Sequence, residues 1–224
     1  MIKMTIIEEM FSDHVAVFGK SLELLVAILA TITWKKYKNT PERNFIYYLW
    51  VTIIVEAPLF ALLAYYYEVP PHWLYNLYYL FCFYFILNWF YRILKIELIK
   101  YLSYGVLVVF ILNFFTQNFE DEHFFFQYMY GAVSILIAST FYYINLLKSN
   151  DIFHLRYKLS FWITTGFLLF YIGMIPVQLL PNISTIEYRN EYSDIILIAL
   201  NVILYGCFIT GLLLTKNTTW KKEI

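Results

Sequence analysis

The chain has 224 residues, 61% of them hydrophobic, 22% aromatic and 14% charged, a balance that a soluble monomer of this size cannot bury and that turns the surplus apolar surface toward lipid. Sixteen Lys plus Arg offset sixteen Asp plus Glu, so no net basic field exists to attract nucleic acid. Cys82 and Cys207 lie inside apolar runs, which excludes a disulfide scaffold and a cysteine zinc site.

Seven hydrophobic runs make up most of the chain, at 15–34, 45–67, 73–91, 98–119, 124–147, 159–180 and 194–215. At ~1.5 Å of rise per residue each reaches roughly 29 to 36 Å, enough to cross a hydrocarbon core of about 30 Å as a helix. The expected fold is an all-α integral membrane protein, a single seven-transmembrane-helix bundle over residues 1–224. No linker rich in Gly, Pro or Ser and no fixed-period repeat divides it.

The first run follows an acidic flank of Glu8, Glu9 and Asp13 rather than the basic flank of a secretory signal, and is read as the first helix. Lys20 and Glu23 stand three residues apart in it, on nearly one face. Lys20, near the outer end, can snorkel, whereas Glu23 lies close to mid-membrane. The two are either an orienting ion pair or part of a functional site. The second run carries Glu56 at its centre, in Val55-Glu56-Ala57-Pro58, with no charged neighbour within a helix turn. A carboxyl there is protonated, paired across helices or open to a water cavity. Pro58 frees a carbonyl near position 54 and loosens the helix beside the acid. Broken, acid-bearing spans build ion sites in transporters; the alternative is a Glu that bonds to a neighbouring helix and only packs. Glu23 and Glu56 arrive at nearly the same depth, so Lys20, Glu23 and Glu56 are the expected intramembrane polar site, with the two carboxyls coupled.

The third run crowds in Tyr75, Tyr78, Tyr79, Phe81, Phe83, Tyr84, Phe85, Trp89, Phe90 and Tyr91. It lacks the period-2 alternation of a strand and is longer than the roughly ten-residue strands of outer-membrane barrels. From this run onward amides accumulate. Asn76, Asn113, Gln117, Gln127, Gln178 and Asn201 fall in the outer half of five spans, while Asn88 and Asn145 lie nearer the cytoplasm. The outer set reads as a cavity opening outward or as separate interhelical bridges, each worth about 0.6 to 2 kcal/mol. In the sixth run Gly166 and Gly173 are two turns apart on one face, where a partner helix can approach closely, and Pro176 frees the carbonyl near Ile172. Pro58, Gly166, Gly173 and Pro176 are therefore the candidate kinks or hinges. The outer segment 181–185 opens with turn residues and serves as a lid or as a connector. The seventh run has no lysine between 195 and 214, so a retinal Schiff base is not expected.

Charges between the runs set the orientation. Segments around Lys35–Arg43, Arg92–Lys100, Lys148–Lys158 and Lys216–Glu223 hold thirteen bases against four acids, a balance of +9; the intervening segments hold two bases against ten acids, a balance of −8. All four basic segments are an even number of spans apart, which predicts the N-terminus outside and the C-terminus in the cytoplasm.

The string Phe161-Trp162-Ile163 with Gly166, Tyr171, Gly173 and Pro176, the Tyr37-Lys38 loop and the Glu56 span resemble small seven-helix inner-membrane proteins of Bacteroidetes, a family sometimes encoded near sensory histidine kinases. The resemblance covers most of the chain. It implies a multi-pass protein of the bacterial inner (cytoplasmic) membrane and carries no catalytic or binding residues across.

With short loops and about nine residues after the last run, the expected role is a sensor or receptor-like transducer that lacks its own output domain and works through a membrane or cytoplasmic signalling partner. The alternatives are a small-solute or proton-coupled transporter using Glu23 and Glu56, and a membrane effector acting within a complex. Catalysis is not what the residues point to: His14, His72, His123 and His154 form no helical two-histidine metal motif and no nucleophile elbow is present. No metal or cofactor is implied, the bilayer is the one certain partner, and the oligomeric state is left open. Reporters fused after Glu223 test the orientation: a cytoplasmic reporter is expected to be active and an export-dependent one silent, and the reverse pattern overturns it.

Overall fold

A computed structural model describes residues 2–59, 72–119, 123–149, 155–179 and 189–215. Among them the protein is all helical, with seven helices: α1 (Ile2–Tyr37), α2 (Phe45–Ile54), α3 (His72–Leu94), α4 (Glu97–Thr116), α5 (Phe125–Lys148), α6 (Leu159–Leu179) and α7 (Arg189–Leu214). Six are long and apolar enough to cross a membrane: Val17–Tyr37 of α1, the whole of α3, α4, α5 and α6, and Ile195–Leu214 of α7. A 3₁₀ turn, Pro41–Asn44, leads into α2, and α2 passes into a π-helical turn, Val55–Leu59. The rest of the expected second run, 60–67, lies outside the described residues.

Helix length exceeds hydropathy at two places. α1 begins well before the apolar run at 15 and α7 begins five residues before that at 194, because backbone hydrogen bonding does not depend on the hydropathy of the side chains it carries. α4 stops early, where Gln117 turns extended (φ −126°, ψ 158°) while its N–H still bonds Asn113 O at 2.9 Å. The α3–α4 connection is only two residues long. Lys95 reverses the chain there with φ 54°, the left-handed region most side chains avoid.

The helices form a closed ring in the order α1, α2, α3, α5, α6, α7 and back to α1, with α4 outside it, packed on α3 and α5. The α6–α7 seam is the most extensive, and glycines explain its closeness. A Cβ on Gly166 would stand 3.1 Å from Phe208 and 3.2 Å from both Cys207 Cβ and the Leu204 carbonyl, and one on Gly211 would press into Trp162 and Leu159. Each helix thus lays a bare stretch of backbone against the other's side chains. The buried core runs through the ring as Val26, Ala30, Leu49, Ile86, Leu87, Ile135, Ile163 and Leu212, leaving large apolar residues such as Ile32, Tyr101, Phe115, Phe126 and Leu147 exposed on the outside, the inside-out pattern of a protein solvated by lipid.

One end of the bundle is clasped by polar contacts. Asn76 of α3, fully buried, accepts from Phe124 N at 3.0 Å and donates to Phe119 O at 3.3 Å, and its carbonyl accepts from the Gln127 side chain at 3.5 Å. Beside it, His72 Nδ1 and His123 Nε2 lie 2.9 Å apart, with the rings nearly perpendicular. Such a bond needs one neutral imidazole. Desolvation, then the adjacent His72, holds His123 below its ordinary 6.5. The folded state therefore binds its proton less readily than the unfolded chain, so this contribution to stability is complete above about pH 6.5 and is lost as pH falls toward the depressed value. Melting curves in one detergent between pH 5 and 8 are expected to show a drop on the acid side that His123→Gln reduces; equal slopes for both proteins would dismiss the clasp.

Candidate functional site

A cavity of about 230 Å³ lies inside the ring, and all six ring helices contribute to its lining. Its floor holds Glu23 of α1 and Glu56 from the π-helical turn. Residues 23 and 205 sit at the same depth on neighbouring α1 and α7, and there the Tyr205 hydroxyl donates to Glu23 Oε1 at 2.6 Å. The Glu23 carboxyl meets that of Glu56, and Tyr78 of α3 lies beside Glu56 while donating to Thr52 Oγ1 at 3.0 Å. Glu23 is buried and Glu56 half-buried. Two carboxylates in contact repel unless a proton or a cation lies between them. The wider π turn places Glu56 by interrupting the regular backbone ladder, an arrangement found mostly at functional sites.

The cavity walls are aromatic. Tyr48, Tyr78, Tyr79, Phe83, Tyr128, Phe167, Phe170, Tyr171 and Tyr205 face it, together with Cys82 and Met174. Tyr128 packs edge-on against Tyr79 (5.4 Å between centroids) and Phe83 (5.7 Å); its hydroxyl is buried and has no hydrogen-bond partner among the described residues. From the carboxyls the cavity runs to Gln178, Asn201 and Leu197, all half-buried, near the end of the bundle where α6 finishes and α7 begins. This end carries the acidic segments of the sequence. Toward the basic end the floor is closed by packed rings, with Tyr48 edge-on to Phe167 (5.9 Å), Phe167 to Phe208 (5.3 Å) and Phe208 to Phe45 (5.0 Å). A second cavity of about 320 Å³ lies between the 3₁₀ turn Pro41–Asn44 and α3, where Asn44, Asn88 and Arg92 are among its polar lining.

The expected site residues divide into groups. Glu23 and Glu56 are brought together. Lys20 is exposed on α1, acts on both carboxyls only through space and forms no ion pair; among the described residues the one ion pair is Lys100–Glu97 at 3.3 Å. Gln178 and Asn201 line the cavity with the acids. Asn76 and Gln127 belong to the clasp between α3 and α5, and neither they nor Asn113 and Gln117 line the cavity. Asn113 Nδ2, Gln117 Oε1 and Gln127 Oε1 are buried without a partner among the described residues. Gly166 and Gly173 face α7, with Leu200 filling the space over Gly173. Pro176 lies inside α6, two residues before Gln178, and Pro58 lies within the π turn. Segment 181–185 is outside the described residues.

Sequence reasoning missed the cavity tyrosines, which the abundance of aromatic residues conceals. A signal was present in their spacing: Tyr75, Tyr78, Tyr79, Cys82 and Phe83 on α3, Phe167, Phe170, Tyr171, Met174 and Gln178 on α6, and Leu197, Asn201, Leu204 and Tyr205 on α7 each repeat at three or four residues, the period of one helix face. It also missed Glu42, buried in the 3₁₀ turn at the basic end beside Thr40 and Ser160 and in the field of Lys158. Burial holds its carboxyl above the usual carboxylate range. Tyr142 donates to the same Ser160 at 3.2 Å, which ties the α1–α2 turn, α5 and the start of α6 into one cluster.

No family model, curated protein or solved structure matches the chain, so the reading of the site rests on its geometry.

Two tyrosine-to-phenylalanine changes separate a working hydroxyl from an idle one. Tyr205→Phe strips Glu23 of its donor and is expected to cost about 1 to 3 kcal/mol, the penalty for a buried acceptor left unmade. Tyr128→Phe removes a hydroxyl with no partner and is expected to be neutral or slightly stabilising. Thermal melts of both in one detergent check this, and equal losses would show that the Tyr205–Glu23 bond holds nothing in place.

Proposed function

We propose that the protein is a seven-span membrane receptor-like transducer, with its N-terminus outside and its C-terminus in the cytoplasm, that takes a small molecule into the ring cavity from the outer end and passes its occupancy to a separate partner. The observation that carries this reading is the one-sided lining of the cavity: Gln178 and Asn201 toward the acidic end, and packed rings of Phe45, Tyr48, Phe167 and Phe208 toward the basic end. Under the charge asymmetry of the loops the acidic end faces outward. α6 supplies the longest strip of the wall and runs on to Ser160, beside Glu42, on the side where a cytoplasmic partner would read it. The resemblance to proteins encoded near histidine kinases points to such a partner, and to the bacterial inner membrane as its location.

A proton-coupled carrier is the second reading, favoured by one observation, the contact of Glu23 and Glu56 at a π-helical interruption in mid-span. It shares the cavity and differs in needing the aromatic seal to open.

Thiol labelling tests the first reading. In a chain carrying Cys82→Ser and Cys207→Ser, Gln178→Cys is expected to react with a membrane-impermeant reagent added outside whole cells, and Ser160→Cys only in inside-out vesicles. Labelling of Gln178→Cys from the cytoplasmic face alone would overturn the proposed direction of the cavity. Acid-outside proteoliposomes separate the two readings, since the transducer carries no proton flux and the carrier shows a flux that Glu56→Gln abolishes.

A further inference from the structure

We propose that the ring cavity binds an organic ammonium ion, a molecule the size of a small amino alcohol or quaternary amine, with its cationic head between the aromatic wall and the Glu23–Glu56 pair. This rests on the reading of the cavity as a ligand site open to the outer face.

The first argument is charge. Two carboxyls meet at the cavity floor, and among the described residues that line it there is no Lys, Arg or His. Lys20, the nearest base on the same helix, is exposed and pairs with neither acid. An anion in this space would meet uncompensated acids in a low dielectric, whereas a cation relieves their mutual repulsion.

The second argument is the wall. The positive charge of a bare metal ion is satisfied by six or more oxygens at short range, but the surfaces offered here are ring faces and edges from Tyr79, Tyr128, Phe170 and Tyr171. Ring faces attract a diffuse, weakly hydrated cation, and a cage of several rings is the usual receptor for alkylated ammonium groups. The hydroxyl of Tyr128, buried at the cavity wall and without a partner among the described residues, adds a polar group there. Size is the third argument. About 230 Å³ falls just below the range of drug-sized sites, and Gln178 and Asn201 at the rim supply donors and acceptors for a hydroxyl or carbonyl at the far end of the molecule.

The experiment is calorimetric titration of the full chain in lipid nanodiscs with choline and with tetramethylammonium, set against 3,3-dimethyl-1-butanol, which keeps the shape of choline without its charge, and against sodium chloride. Both ammonium probes are expected to bind at least ten-fold more tightly than the neutral isostere. Glu56→Gln is expected to weaken them ten-fold or more. Tyr128→Leu is expected to lose roughly ten-fold in affinity, most of which Tyr128→Phe retains, because a ring face and not a hydroxyl carries the cation. Should Tyr128→Leu fail to fold, Phe170→Leu against Phe170→Tyr makes the same comparison at a half-buried wall position. Equal binding of the neutral isostere, competition by sodium at the concentration of the probe, or indifference to Tyr128→Leu would each overturn the proposal. Absence of binding in a protein whose Gln178→Cys variant labels from outside would refute the ammonium ligand and leave the outward cavity standing; failure of that labelling would refute the cavity's direction instead.

Discussion

The contact between Glu23 and Glu56 is the constraint around which the bundle is organised. Each acid sits in an apolar helix where an unpaired charge is expensive, and each is relieved only by groups from elsewhere in the chain. Glu23 takes its proton donor from Tyr205, 182 residues away, and Glu56 faces Glu23 from a different helix with Tyr78 of a third beside it. Glu23 and Tyr205 meet only when α7 closes back on α1. Ring closure thus supplies Glu23 with its hydroxyl donor, and an open arrangement of the same helices would leave that bond unmade in lipid. The same requirement explains the π turn: a regular helix continued from α2 would not need to break its ladder at Val55–Leu59, and the interruption sits where the acid must be aimed inward.

Helix existence was legible because lipid demands about twenty apolar residues per crossing and leaves that demand in plain composition. The beginnings of α1 and α7 were not, since hydropathy marks where a helix leaves the hydrocarbon and says nothing of where its hydrogen bonds end. Ring order was hidden for a related reason. α4 is as apolar as its neighbours, so its position outside the ring is decided by which faces are smooth enough to pack, as at Gly131 beneath the Phe83 ring or Gly105 beneath Tyr130, and not by how hydrophobic it is.

The amides show the limit most clearly. Asn76, Gln127, Gln178 and Asn201 share a depth and a chemistry in the sequence, yet the first two hold α3 to α5 and the last two line the cavity. Residue type fixes that a buried amide needs partners; only the rotation of each helix decides whether those partners are protein or the cavity. Lys20 illustrates the same point from the other side. One turn of separation from Glu23 permits an ion pair, but its stem follows the exposed face of α1 and the acid turns to Tyr205 instead.

In the transducer reading, this division bears on how occupancy of the cavity would reach the other end. α6 and α7 are locked by reciprocal glycine contacts at Gly166, Gly173 and Gly211, so pressure on Phe170, Tyr171 or Met174 would move the two helices together and not slide one past the other. Pro176, near the rim, lacks the N–H that would stiffen the last turn, and in that reading the turn would follow a ligand while the welded length below would transmit the shift. At the basic end the welded pair begins beside Ser160, where Glu42 lies buried among groups from three elements. A buried carboxyl held above its usual range is sensitive to the position of every neighbour, because each lost hydrogen bond raises the cost of its charge. In the transducer reading, a small displacement of α6 would therefore change the charge or exposure of Glu42 at the cytoplasmic end, an electrostatic signal that a partner could read there.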